Sequence, residues 1–410
     1  MKKFFALLLS LAMVLALVAC GQKDPTPDTP DTPDDPQTKV EYKVAMITDY
    51  GDITDQSFNQ TTYEACKAFA EDNSIEFSYF KPAGDNTADR VAMIEKAVDE
   101  GFNVIVMPGY AFGGAIVEAA PEFPDVKFIA LDVAASDLLE TAVAKAGEAY
   151  DYTPENWDLN KYVDMSNVYC AVYQEELCGY MAGYAAVKLG YKNLGFLGGM
   201  SVPAVVRYGY GFVQGVDAAA ADLGLTDVKL NYIYGGQFFG DADITAVMDT
   251  WYQGGTEVVF ACGGGIYTSA VDAAKKANAK VIGVDVDQAG VIAKYAGVDG
   301  MTVTSAMKGL YPATYDTLTD VIVNGNWDKY VGKVATLGLV SGTDPEANYV
   351  QIPMGDGTQW SDSFTQDDYK AMVKDMFDGK ITVSNNTSSD VSAADFATVI
   401  TVDDQGSIKG

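Results

Sequence analysis

From residue 40 onward the chain alternates short apolar runs with longer amphipathic or alanine-rich stretches. The runs are YKVAMIT (42–48), IEFSYF (75–80), NVIVMP (103–108), VKFIALD (126–132), NVYCAVY (167–173), NLGFLG (193–198), VKLNYIY (228–234), EVVFAC (257–262), KVIGVD (280–285) and MTVTS (301–305). Such runs, bounded by turn residues, read as strands buried on both faces. The stretches between most of them, such as 89–100, 174–189, 266–277 and 308–323, read as helices. Strands that alternate with helices predict parallel, doubly wound α/β sheets. Ten strands exceed the usual single sheet, so two lobes are expected. The break is expected near 150–166, where YDYTPENWDLNKYVDMS is polar and spotted with aromatics and reads as an insertion.

Many of the strands end in small or polar residues followed by a turn: TDYGD, MPGYAFGG, ALDV, LGGM, ACGGG and GVDVDQ. Ligands of open α/β sheets bind at these carboxyl ends. Two lobes facing each other by these edges would bring all the loops to one cleft. Gly263, Gly264 and Gly265 would let backbone approach a ligand, although each also suits a plain turn. Neither LGGM nor ACGGG is a dinucleotide fingerprint or a P-loop. In DITDQSFNQTTYEA (52–65), Ser57 and Gln60 have the spacing of a capping box, which predicts a helix with Phe58 as its first residue. A phenylalanine there is either a core residue or one placed to touch a ligand.

Composition narrows the chemistry. The chain of 410 residues is 48% hydrophobic, enough for a large core, and its formal net charge of -30 repels nucleic acid. It has no histidine, the commonest general base and metal ligand. The start, MKKFFALLLSLAMVLALVACGQ, has a basic end and an apolar stretch too short to read as a membrane span. LVAC followed by glycine resembles a bacterial lipobox. This implies a leader at 1–19, cleavage before Cys20 and a lipid on its sulfur. Residues 20–39 are rich in Pro, Asp and Thr and read as an extended tether, roughly 3 Å per residue and on the order of 50 Å in all. Cys66, Cys170, Cys178 and Cys262 have no CxxC spacing; Cys66 and Cys262 fall in apolar segments, and a Cys170–Cys178 pair stays open.

DQSFNQ, LGFLGGM, GFVQG, VIGVDVDQ and TVTSAMKG occur in that order over residues 43–310. They resemble the basic membrane protein family of substrate-binding lipoproteins, which includes purine nucleoside receptors of ABC transporters. The resemblance implies a type I periplasmic-binding-protein fold, two Rossmann-like lobes joined by three crossovers. It maps lobe one to 40–166 plus 301–334 and lobe two to 167–300 plus 335–410. It implies that Phe58 stacks on a nucleobase with Asn59 beside it, that Asp132 hydrogen-bonds the base, and that Asp285 and Lys308 hold the ribose; Asp49 matches the ligand-site aspartate at the end of the family's first strand. A second stacking ring would be Phe238 or Phe239. The expected partners are a nucleoside, an ABC permease and the membrane, through a lipid anchor on the extracytoplasmic face. No cofactor and no metal are implied. Gln56 stands where the family often has lysine, and GGQFF replaces its GSF.

The residue types suit that ligand. Aromatic rings take a flat base, each stack contributing roughly 1–3 kcal/mol. Aspartates accept from hydroxyls and base N–H groups, and Lys308 donates to a sugar oxygen while offsetting them. No arginine cluster awaits a phosphate. Two alternatives remain at this level. A sugar receptor on the same fold would have polar side chains in place of the rings. TDYGDITD (48–55) resembles in part the aspartate-rich start of nucleoside hydrolases, with Tyr50 where that motif has proline.

Overall fold

The computed structural model describes residues 41–409. The leader, Cys20 and the tether lie outside the described residues. The ten expected strands are present as β1 (Lys43–Ile47), β2 (Glu76–Phe80), β3 (Val104–Pro108), β4 (Lys127–Leu131), β5 (Val168–Tyr173), β6 (Asn193–Gly198), β7 (Lys229–Tyr234), β8 (Val258–Cys262), β9 (Lys280–Asp285) and β10 (Thr302–Lys308). Three more follow, β11 (Lys333–Leu337), β12 (Val350–Gln351) and β13 (Thr401–Ser407). All three lie at sheet edges, where one side of the strand has no partner to bury it. Their residues are mostly exposed or half-buried, so they lack the apolar run that marks a central strand.

The first sheet has the order β11-β5-β4-β3-β1-β2 and is parallel throughout. The second has the order β12-β10-β9-β8-β6-β7-β13, with only β12 antiparallel. In each, the first five strands in sequence take the same arrangement, so the strand order reverses between β1 and β3 and again between β6 and β8. The chain passes between sheets after β5, after β10 and after β11. This is the two-lobed architecture with three crossovers that the resemblance implied.

The lobe boundaries differ from those expected. β5 completes the first sheet beside β4, pairing Phe128 with Val168, and β10 belongs to the second sheet beside β9. Lobe one is therefore 42–173 plus 309–337, and lobe two is 174–308 plus 338–409. The break falls at the end of β5 because pairing, not polarity, decides membership. The polar stretch 150–166 belongs to lobe one, where the short helix Leu159–Tyr162 packs beside the helix Ala135–Lys145. The helix expected over 308–323 starts at Leu310 and widens into a π-helical turn over Thr319–Val323, leaving Lys308 as the last residue of β10.

Each sheet is covered on both faces. In β3, Val104 and Val106 pack into one core while Ile105 and Met107 pack into the other. In β8, Val258, Phe260 and Cys262 face one side and Val259 and Ala261 the other. Continuous apolar runs follow from this two-sided burial. The helices Glu175–Lys188 and Pro203–Asp222 meet through glycines, with no room for a side chain. A Cβ on Gly211 would fall 2.1 Å from the Glu176 carbonyl oxygen, and one on Gly179 2.3 Å from that of Tyr208. Cys66, Cys170, Cys178 and Cys262 are all buried free thiols, so Cys170 and Cys178 do not pair. Near the C-terminus, Asp217 accepts from the backbone N–H groups of Thr398, Val399 and Ile400 and fastens β13's approach to lobe two.

Candidate ligand site

The carboxyl ends of both sheets enclose a cavity of about 430 Å³. It lies at the two points where strand order reverses, the usual ligand position in such sheets. Asp49, Phe58, Asn59, Asp132, Phe238, Phe239, Gly264, Asp285 and Lys308 all line it. The sequence-level candidates, scattered over 260 positions, are thus brought to one place by strand ends.

Lobe one supplies the start of the helix Phe58–Asn73. The helix begins where expected, but Ser57 and Gln60 do not form its cap. Asp55 does so instead, accepting from the N–H groups of Ser57 (2.9 Å), Asn59 (2.9 Å) and Gln60 (3.1 Å). Ser57 is thereby freed to reach across the cleft, where its hydroxyl donates to Asp285 Oδ2 at 2.5 Å. Gln56, in a left-handed conformation (φ 58°), turns its carbonyl to the buried Gln288 amide of lobe two at 3.2 Å. Phe58 is half-buried, touches the cores of both lobes and keeps part of its ring in the cavity.

Asp49 is buried at the end of β1, and its Oδ1 accepts from the N–H groups of Tyr50 (2.6 Å) and Gly51 (2.7 Å). Burial pushes its carboxyl up, and those N–H groups partly offset the rise. Asn59 donates to Asp49 at 3.3 Å while its Oδ1 is buried without a partner. Asp132 and Asp285 stand at the ends of β4 and β9, both in the left-handed region (φ 58° and 65°). Aspartate tolerates that region better than most residues, and two strained positions facing one cavity suit a functional site.

Lys308, 5% exposed, is the centre of charge. Its ammonium lies 2.5 Å from Asp132 Oδ2, 3.5 Å from Glu175 Oε1 and 3.7 Å from Asp285 Oδ1. Burial pulls its pKa down, and the three carboxylates more than reverse this, holding it well above the ordinary lysine value. The same ammonium sits 4.7 Å from the centre of the Phe58 ring. Asp132 uses only one oxygen on Lys308; its Oδ1 is buried and unpartnered. Two acceptor oxygens of cavity-lining residues, on Asp132 and Asn59, thus lie buried with no donor inside the protein. Buried acceptors left without donors are uncommon, and a ligand N–H or O–H would satisfy them.

Lobe two supplies the opposite wall. Phe238 turns inward, its ring lying against Gly199 and Gly263, where a Cβ would come within 2.3 Å and 2.8 Å of ring carbons. Gly263 also needs its φ of 147°, which L-residues rarely adopt. Gly265 donates its N–H to the Phe238 carbonyl at 2.9 Å. The glycines thus seat Phe238 as well as border the cavity. Phe239 lines the rim and is 57% exposed. At the mouth, Met200 of lobe two accepts from the Tyr50 hydroxyl at 3.5 Å and the Tyr110 hydroxyl at 3.9 Å.

Several residues escaped the sequence reading. Tyr208 lines the cavity and donates to Asp285 Oδ1 at 3.2 Å. Glu175, fully buried, joins Lys308 to Arg207, whose Nε donates to Glu175 Oε2 at 2.7 Å. A lone arginine inside the apolar run VPAVVRYGYGF was the available signal for the pair, since a buried cation demands a buried anion.

Residues 42–345 match the model of the Bmp family, described as PnrA-like ABC transporter substrate-binding proteins. A Lactococcus lactis protein named ABC transporter nucleoside-binding protein BmpA is 25% identical over 92% of this chain and 96% of its own length. Basic membrane protein B of Borreliella burgdorferi is 26% identical over 76% of this chain and 83% of its own. A solved ABC transporter solute-binding protein from Aeropyrum pernix superposes with a TM-score of 0.60 at 20% identity, covering 84% of this chain and 88% of that one. Another from Conexibacter woesei gives 0.57 at 20% identity, over 84% and 99%. These two structures speak to the fold alone. Other relatives, from Pyrococcus species, are named lipoproteins.

Proposed function

Because the chain belongs to the Bmp family of PnrA-like ABC transporter substrate-binding proteins, we propose that its cavity captures a purine nucleoside and presents it to a membrane permease. One observation carries the reading: a cleft cavity with an aromatic ring from each lobe, beside which two unpartnered acceptors, Asp132 Oδ1 and Asn59 Oδ1, lie buried on the lobe-one side. Its volume of about 430 Å³ falls within the roughly 300–1,000 Å³ usual for small-molecule pockets. In this reading Phe58 and Phe238 stack on the base, while Asp132 and Asn59 accept from its N–H groups. Asp285 and Lys308 take the ribose hydroxyls, and Gly264 borders the sugar. Asp49 acts mainly by orienting Asn59. Phe239 shields the rim. The nucleoside name of the Lactococcus relative supports the ligand class.

A sugar receptor would place polar side chains where the two phenylalanines stand. Hydrolysis would need free carboxylates in TDYGDITD. Asp55 is turned onto three backbone N–H groups and Asp52 onto Thr54 and Lys81, which favours capture over chemistry. The lipobox reading adds an anchor at Cys20 on the extracytoplasmic face. No helix among the described residues is long and apolar enough to cross a membrane.

The test is titration calorimetry with nucleosides, free bases, sugars and nucleotides. Purine nucleosides should bind most tightly and be recovered intact. Preference for a free sugar, or release of free base on incubation, overturns the reading.

A further inference from the structure

Neither Glu175 nor Arg207 borders the cavity, yet both are bound into its charge centre. Glu175 is the first residue of its helix, one position after the chain leaves β5 for lobe two. Lys308 is the last residue of β10, immediately before the chain returns to lobe one. The network therefore sits on two of the three crossovers. Glu175 divides its oxygens, Oε1 toward Lys308 and Oε2 toward Arg207. Lys308 reaches from lobe two to Asp132 of lobe one, the ion pair that spans the cleft.

We infer that Glu175 and Arg207 are positioning residues: Arg207 balances Glu175, so that the Lys308 ammonium stays on Asp132 and holds the lobes closed. Three carboxylates surround this centre and two cations answer them. Without Arg207, the full charge of Glu175 would draw the ammonium inward, since buried charges at this range attract strongly. The pair across the cleft would lengthen and closure would weaken. The role rests on the cavity being a capture site that closes, and only its second readout depends on the ligand being a nucleoside.

The test uses the full chain, as parent, Arg207→Met and the double variant Glu175→Gln/Arg207→Met, which leaves no ionised group of the pair. Hydrogen-exchange mass spectrometry reads segment 50–60, which belongs to the opposite lobe from Arg207. In Arg207→Met that segment should exchange faster, and in the double variant it should return to the parent rate. Affinity for inosine should fall about tenfold in Arg207→Met and recover to within about threefold in the double variant. Arg207→Gln, which keeps a donor for Glu175 without the charge, replaces Arg207→Met if that protein does not fold. Faster exchange confined to the helix Pro203–Asp222, or a double variant as altered as the single one, overturns the inference. A parent that binds no inosine, with the exchange pattern as expected, overturns the nucleoside reading and supports the positioning role.

Discussion

Truncating Phe58 to alanine separates the two parts this residue plays. Its ring packs partly on both lobes' cores and partly borders the cavity. A fully buried phenylalanine costs about 3–5 kcal/mol when cut to alanine; with part of the ring facing open space, a loss of roughly 2 kcal/mol is expected. The contact with the Lys308 ammonium, 4.7 Å from the ring centre, is already made in the ligand-free protein. Its loss, worth about 0.5–2 kcal/mol, therefore belongs to stability rather than to binding. Only the stack on the ligand base is specific to the complex. Losing it should weaken binding by roughly 1–3 kcal/mol, about five- to 150-fold. The unliganded protein should melt only several degrees lower, at about 2–4 °C per kcal/mol for a large domain. Titration calorimetry with inosine and unliganded thermal melting measure the two terms separately. Phe58→Leu should recover most of the stability but little of the affinity, because it refills the space without supplying a flat face. A Phe58→Ala protein that melts far lower yet binds inosine within twofold of the parent would refute the stacking role.

The two phenylalanines of GGQFF should differ. Phe238→Ala should weaken inosine binding about five- to 150-fold, whereas Phe239→Ala, at the exposed rim, should change it less than about twofold; equal effects would contradict the inward placement of Phe238. Stability should fall as pH rises from about 4 to about 7. Burial pushes the Asp137 and Glu176 carboxyls up to about 7 each, so in that window the folded state holds protons that the unfolded state has released. Each contributes at most about 1.4 kcal/mol per pH unit, and melting at pH 5.5 should exceed that at pH 7.5; the reverse order would show that these groups ionise freely in the fold. Cys20→Ser should stop incorporation of labelled fatty acid, and continued labelling would place the lipid elsewhere.

The sequence by itself determined the central strands and the two-lobed α/β class, because a strand buried on both faces must be apolar along its whole length. Val104 through Met107 show this: alternate residues enter different cores, so no polar position interrupts the run. The candidate site was legible in part for a related reason. Asp49, Asp132 and Asp285 close apolar runs and are visible along the chain, whereas their roles, and Lys308 at the start of an expected helix, were read from the family resemblance. The tertiary structure decided what depends on partners distant in sequence. β11 and β13 are edge strands, recognisable only through β5 and β7 beside them. β5 and β10 looked alike as runs, and only pairing assigned them to their sheets. Ser57 had the spacing of a local cap, but Asp55 took the helix N–H groups and Asp285, 228 positions away, took the hydroxyl. Glu175 and Arg207 likewise gain meaning only from each other and from Lys308. Hydrophobic burial is written as a local pattern because it asks only for an apolar side chain, whereas an ion pair or a hydrogen bond asks for one particular partner, which the fold alone brings into reach.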